Sequence, residues 1–297
     1  MEADIEIRPL HSNAECNAAA ALQREVWGQD YVDVVPATLL HVVEYVGGLA
    51  AGAFDGDGEM LGFVFGVNGV RDGEIVHWSH MLGVRERARN LGLGRRLKEY
   101  QRQRMHAIGA KQIFWSFDPL MSKNAYFNLN RLGAEVVEYV PDMYGTTSSP
   151  LHLGMPTDRL IVSLRTDGRV ERRSSAVLSA DYPVMSAFPR DHDRPMPANP
   201  ASASSVLIEV PADILSVLSR SASTAAAWRM AVRSHFQWAL SSGYAVAGLL
   251  RDPLSDRSFY LVSRGAEESP HAERSSTTVN FEPRPTSLST NKSPFMA

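Results

Sequence analysis

Residues 5–10 alternate apolar and polar and predict a short strand, with Pro9 setting its end at a sheet edge. Ser12 and Glu15 then have the spacing of a capping box, and Ala18, Leu22 and Val26 recur at helical spacing behind it. A second helix is predicted from Pro36, turning Leu39, Leu40 and Val43 inward, with Gly47-Gly48 as its stop. Apolar runs at 49–54 and 60–67, joined by Asp55-Gly56-Asp57-Gly58, predict an antiparallel hairpin. A longer run, 75–84, leads through a polar turn into a helix reaching about residue 108, where Gly109 is a natural end. Residues 113–117 predict a buried strand, 124–132 a shorter helix ended by Gly133, and 134–140 and 160–164 two further strands.

The pattern changes after residue 165. Residues 166–204 are rich in proline and serine without periodicity, which predicts a linker or long loop. A βαββ segment follows within 205–264: strand 206–210, a helix over 224–240 with Trp228, Val232, Phe236 and Ala239 on one face, and strands 244–250 and 258–262. Some 60 residues make a small core, so this segment is expected to pack on the first domain (1–165) or on a second subunit, which would make a homodimer. Residues 265–297 are polar and Ser/Thr/Pro-rich and predict a disordered tail.

Composition narrows the function classes. The formal net charge of -3 gives no polyanion-binding signature, so nucleic acid is not expected as a partner. No apolar run approaches the roughly 18 residues of a membrane span. The single cysteine, Cys16, cannot make an internal disulfide, and its Ala-rich surroundings mark it as small helical filler. With the acidic start Met1-Glu2-Ala3-Asp4, these features predict a soluble cytoplasmic protein. The nine histidines are scattered, and no metal constellation is expected.

Candidate chemistry concentrates where the 75–84 run ends. Arg89-Asn90-Leu91-Gly92-Leu93-Gly94-Arg95 forms a strand-to-helix turn, and the first-turn N–H groups of such a helix are suited to phosphate. The spacing fits neither the dinucleotide fingerprint nor a Walker loop. Arg89-x-x-Gly92-x-Gly94, with Leu82 and Val84 five or more residues ahead, resembles the signature of the GNAT superfamily of N-acetyltransferases. Glu86 stands where many members have proline, and Asn90 where many have glycine. The predicted order β-α-α-β-β-β-α-β-α-β is also that of a GNAT domain. Trp78-Ser79-His80-Met81-Leu82, Phe117-Asp118-Pro119-Leu120, Asn124-Ala125 and Pro156-Thr157-Asp158-Arg159 further resemble a bacterial subfamily with an extra C-terminal segment.

The resemblance implies an α/β fold, a twisted mixed sheet with helices on both faces, and acetyl-CoA or another acyl-CoA as co-substrate. The pantetheine arm would insert where the strand ending at Val84 splays from the strand at 113–117, pairing with backbone around Leu82, Gly83 and Val84. The pyrophosphate would sit on the amides of Arg89, Asn90, Leu91, Gly92, Leu93, Gly94 and Arg95. Arg96 and Lys98, by contrast, read as a solvated helix face. The family's general base is a glutamate four residues before the valine of L-x-V; here that position is His80, and histidine can take an ammonium proton near neutral pH. Simple alternation puts His80, Leu82 and Val84 on one face of the strand and His77, Ser79 and Met81 on the other. The family's general acid is a tyrosine that falls at Leu129 here, and leucine has no proton to give. Tyr126, one turn earlier, is the candidate substitute, unless the thiolate leaves without a dedicated acid. Asn124 and Asn128 are candidates to hold pantetheine amides. On the acceptor side, Asp118 and Asp142-Met143-Tyr144 fall on loops a substrate would approach. Asp158-Arg159 either anchors a carboxylate or pairs internally, and Arg229 and Arg233 read as a wet i, i+4 face. The expected function is acyl transfer to a primary amine of a small metabolite, with a non-catalytic acyl-CoA sensor as the alternative.

Overall fold

The computed structural model describes residues 5–145, 155–168, 178–179, 181–197, 199, 202–252, 255 and 257–264, all within one compact unit ending at Arg264. The predicted tail, 265–297, and residues 169–177 of the predicted linker lie outside the described residues.

The chain begins with strand β1 (Glu6–Pro9) and helix α1 (Asn13–Trp27). Ser12 caps α1, its hydroxyl accepting from the Glu15 amide at 3.2 Å, while the Glu15 carboxylate reaches back to the His11 amide at 2.7 Å. Helix α2 (Ala37–Val42) follows Pro36 and tightens into a 3-10 turn, Val43–Val46, closed by Gly47. It turns Leu40 and Val43 inward as expected, but Leu39 is exposed: at this helix's length only one apolar stripe reaches the core. Then come β2 (Leu49–Phe54), β3 (Met60–Arg71), β4 (Glu74–Val84), α3 (Leu93–Ala107) and β5 (Gln112–Phe117). Helix α4 (Ser122–Tyr126) runs on into a π-turn, Phe127–Arg131, before β6 (Glu135–Val140) and β7 (Arg159–Arg165).

These strands make a seven-stranded sheet in the order β1-β2-β3-β4-β5-β7-β6. Helices α1 and α2 cover one face, where Cys16, Leu22 and Leu40 pack on Phe54, Phe63, Phe65 and Met81. On the other face lie α3 and α4, with Leu93, Leu97 and Leu129 packed on Val64, Ile113 and Trp115.

A second, four-stranded sheet has the order β10-β11-β9-β8. It comprises β8 (Val184–Met185), β9 (Ser205–Pro211), β10 (Ala245–Arg251) and β11 (Arg257–Ser263), with helices α5 (Ile214–Arg220) and α6 (Ala222–Ser241) between β9 and β10. Where the sequence predicts only linker or loop, β8 pairs in parallel with β9. Buried Arg257 adds a tie there, bonding both Asp193, at 2.6 Å, and Glu209, at 2.7 Å.

The two sheets share a core. Phe236 of α6 stacks on Tyr139 of β6 with ring centroids 5.4 Å apart, and Tyr260 of β11 donates its hydroxyl proton to the Pro119 carbonyl at 2.8 Å. The Asn130 side-chain amide pairs with the Leu249 backbone in both directions, at 3.0 and 3.1 Å.

Gly66 marks the tightest point of the first sheet. A Cβ there would stand 2.3 Å from the His77 ring and 2.6 Å from the Trp78 carbonyl oxygen, and the backbone oxygen cannot move aside. Gly66→Ala is therefore expected to cost about 2–3 kcal/mol in urea unfolding. A cost below the usual scatter of surface substitutions would mean that β3 and β4 separate there easily.

Candidate active site

The turn after β4 begins with a short 3-10 stretch, Glu86–Ala88, whose Ala88 is buried. Beyond it both Asn90 (φ 69°) and Gly92 (φ 72°) take the left-handed conformation. Asparagine is one of the few side chains that tolerate that region, so Asn90 fulfils the conformational task of the glycine many relatives of the signature carry. Gly92 precedes α3, and its carbonyl accepts from the Arg95 and Arg96 amides, both at 3.1 Å. The Leu93 and Gly94 amides lie ahead of that ladder, at the positive end of the helix dipole. Leu93 and Leu97 are buried and fix the helix on the sheet, while Leu91 is exposed. Arg96 is exposed, as a solvated face requires, and also donates to the Ile5 carbonyl at 2.6 Å, tying the residue ahead of β1 to α3.

The mouth of this turn opens onto a gap in the sheet. Strands β4 and β5 pair only at Val76↔Gln112, His77↔Ile113 and Trp78↔Phe114. Further along, Ser79 to Val84 are held by β3 alone, and Trp115 to Phe117 by β7 alone. Two strand edges thus diverge with backbone polar groups facing the space between them. Within the described seven-stranded sheet this is the one parallel pair, and the signature turn stands at its open end.

The arrangement is the one that the sequence's resemblance to the GNAT superfamily implies, a mixed sheet with helices on both faces.

Within it, β4 departs from simple alternation. The register against β3 runs Phe65↔Met81 and then Gly66↔Ser79, leaving His80 as the extra residue of a β-bulge. The bulge reverses the expected faces. His77 and Ser79 point toward α3, where their partners Gln101 and Lys98 lie, and Leu82 and Val84 join that same side. His80 and Met81 turn to the α1–α2 side, His80 standing edge-on to Phe65 at 6.0 Å between ring centroids. The expected grouping of His80 with Leu82 and Val84 is thus corrected: one inserted residue shifts the period.

His80 is exposed, yet desolvation by its surroundings lowers its pKa below the ordinary histidine value, with the Asp33 carboxylate pulling the other way. Asp33 also acts on Tyr31: burial, then Asp33, raises the phenol's pKa, Arg159 lowers it, and Tyr144 adds to the rise. The α1–α2 loop therefore brings Asp33 into electrostatic reach of His80 and of Tyr31, and Tyr31 into reach of Tyr144 and Arg159. Tyr144 hydrogen-bonds Ser116 at 3.1 Å, and the Arg159 guanidinium lies 5.2 Å from the Tyr144 ring centre. Neither Tyr31 nor Asp33 is legible as a site residue in the sequence, because the loop carries no motif.

Asp118 is not open to substrate. It is buried at the end of β5, bidentate with Arg229 of α6 at 2.9 and 2.5 Å. Asp158 likewise pairs internally: it accepts from Arg233 (Nε at 2.9 Å), the Tyr139 hydroxyl at 2.6 Å and the Asp142 amide at 3.0 Å. Asp142 in turn accepts from the Thr157 amide, and Thr157 accepts from the Tyr144 amide at 2.9 Å. Arg229 and Arg233, expected to be a wet face, are the fastenings between α6 and the first sheet. Arg233 reaches Tyr144 through this chain of bonds.

On α4, Leu129 is fully buried and Asn128 accepts from the Trp115 indole at 3.1 Å. Asn124 is exposed. Tyr126 is 40% exposed with the Arg131 guanidinium 5.6 Å from its ring centre, and its hydroxyl makes no hydrogen bond among the described residues.

No family model and no curated protein matches this chain. Among solved structures, the ribosomal-protein-S18-alanine N-acetyltransferase from Escherichia coli is similar at 16% identity and a TM-score of 0.44, over 56% of this chain and 96% of that one. Aminoglycoside 6'-acetyltransferase type Ii is similar at 20% identity and a TM-score of 0.44, over 55% and 99% of the two chains. A GNAT-family acetyltransferase from Streptococcus pneumoniae is similar at 12% identity and a TM-score of 0.45, over 55% and 99%. Likeness at this level assigns no substrate. Among the described residues, no helix is long and apolar enough to cross a membrane, and no group of three or more His, Cys, Asp or Glu side chains is placed to hold a metal.

Proposed function

We propose that the protein is an acyl-CoA-dependent N-acyltransferase that uses acetyl-CoA and acylates a primary amine of a small metabolite. One observation carries the reading: the amide cradle at Gly92–Gly94 opens directly onto a splayed strand pair whose blind side ends at a histidine-bearing bulge. The Leu93 and Gly94 amides, with Arg89 and Arg95 near them, suit a pyrophosphate. The β4 edge from Leu82 to Val84 offers backbone partners to pantetheine amides. His80, whose pKa desolvation lowers below the ordinary histidine value, accepts the proton of the incoming ammonium, and Asp33, within electrostatic reach of it, favours a cationic amine at that mouth. The amine nitrogen then attacks the thioester carbonyl, and the C–S bond breaks with the electron pair going to sulfur.

Calorimetry with acetyl-CoA and free CoA tests this, run beside a variant carrying Arg89→Ala, Gly92→Val and Gly94→Val. Binding at least tenfold weaker in the folded variant is the expected result, because valine at Gly92 cannot take φ 72° without strain. A folded wild type that binds neither compound overturns the proposal. CoA release on adding an amine panel then separates a transferase from an acyl-CoA sensor.

A further inference from the structure

Lys98 was expected in solvent, yet it is 5% exposed. Its ammonium donates to Ser79 Oγ at 2.7 Å and to Gln101 Oε1 at 3.3 Å, and it lies 4.0 Å from the centre of the Trp115 ring. Three N–H bonds thus meet a hydroxyl, an amide oxygen and an aromatic face. No carboxylate pairs with Lys98 among the described residues, and the titratable group facing it is His77. His77 is itself neutral, pushed down to about 3 by burial and then by Lys98. The Gln101 amide donates to His77 Nε2 at 2.9 Å, and His77 Nδ1 donates to Asn68 Oδ1 at 2.6 Å. Every donor in this row points away from Lys98, which leaves the lysine as the one positive charge at the buried end. An uncompensated buried cation is costly, and such groups concentrate at sites where an anion forms.

Its place in the sheet says which anion. Ser79 and Trp115, which hold the ammonium, are the first residues past the last β4–β5 pair, so the charge sits at the vertex of the splay on the α3–α4 side. From Val84 to Ser79 the strand covers roughly 17 Å at about 3.3 Å per residue, comparable to an extended pantetheine arm. A CoA whose pyrophosphate rests on the signature turn therefore brings its sulfur to this vertex. The helix α4 position that offers no proton, Leu129, faces the same layer.

Resting on the acyl-CoA reading above, we propose that Lys98 is the acid that protonates the departing CoA thiolate. As the C–N bond forms and the C–S bond breaks, the sulfur takes the electron pair and then a proton from Lys98 Nζ, leaving a neutral amine. His80 meanwhile holds the proton lost by the substrate ammonium, and exchange with solvent returns both groups to their starting states.

The test needs no acceptor. Free CoA is bound to the full-length protein and its thiol is titrated by ultraviolet thiolate absorbance, with the ligand-free protein subtracted. In the wild type the bound thiol is expected to ionise at least one pH unit below free CoA, a tenfold larger thiolate fraction, because a thiolate at the vertex holds Lys98 in its ammonium form and the two groups titrate as a pair. In Lys98→Met, which keeps the side chain's length, that shift is expected to vanish while CoA affinity stays within a few-fold. A wild-type thiol that titrates like free CoA, or equal shifts in both proteins, overturns the proposal. So does an absence of CoA binding by the wild type, which fails the acyl-CoA reading first and is told apart by that. A lysine with a purely structural role moves stability but not the thiol's titration.

Discussion

Arg229→Ala is expected to lower the unfolding free energy by about 3–5 kcal/mol, because it leaves the Asp118 carboxylate buried without its cation. Arg229 is 1% exposed and among the largest fully buried side chains described. Burial alone would lower its pKa, but the charge of Asp118 and the hydrogen bonds to it outweigh that and hold it above the ordinary value. Both guanidinium nitrogens of the fork are used, at 2.9 and 2.5 Å, and Asp118 also accepts from the Leu120 amide at 2.8 Å. The loss would be felt on both sides of the shared core, since Asp118 follows Phe117 at the end of β5 and Arg229 lies on α6. Replacing both partners, as Arg229→Met with Asp118→Leu, removes the stranded charge and is expected to regain most of the loss, though the Leu120 amide then lacks its acceptor. Urea unfolding of the two single variants and the double variant measures the coupling directly. Additive losses would show that the two groups do not depend on each other.

That pair also shows where sequence patterning stops. The first domain was legible because its strands and helices carry their own periods and caps: Ser12 with Glu15, Pro36, and the Asp/Gly turn at 55–58 all stand where the elements change. Arg229 and Arg233 flank the apolar stripe of α6, and an i, i+4 cation pair has the same spacing on a wet face as against a partner. The acids that decide the matter are 111 and 75 residues away. Helix α5 carries no periodic signal in the sequence although Asp213 caps it through the Leu215 and Ser216 amides; its seven residues are too few to establish a period. In the candidate site the strand-to-helix turn after β4 could be read, but not the bulge at His80. One inserted residue leaves no trace in a strand whose polar and apolar residues already mix. Lys98 was misread for a related reason: Arg95, Arg96, Lys98 and Glu99 look like one charged face, and only the packing of α3 over the fork of β4 and β5 buries one of them.

The burial of Lys98 has a second, independent consequence: stability should rise with pH between about 7 and 10. Burial lowers the lysine's pKa to about 7 in the folded chain, against roughly 10.4 for an unfolded one. Between those values the unfolded chain holds a proton that the folded chain has released. Raising the pH therefore weakens the unfolded state's advantage, and the unfolding free energy increases. Below about pH 7 the lysine is protonated in both states and its penalty is constant. Other groups titrate in the same range, and the Cys16 thiol, which burial pushes up, works in the opposite direction above its unfolded value. The informative quantity is thus the difference between wild type and Lys98→Met, measured by urea unfolding at pH 7, 8.5 and 10. At pH 7 the methionine variant should be the more stable, because it buries no charge. By pH 10 the wild type is expected to gain on the order of 3 kcal/mol relative to the variant. Parallel curves would mean that Lys98 stays charged in the fold up to pH 10, which requires an anion beside it and would remove the ground for assigning it the thiolate's proton. A converging pair of curves leaves the lysine in the fork charged near neutral pH and able to give that charge up.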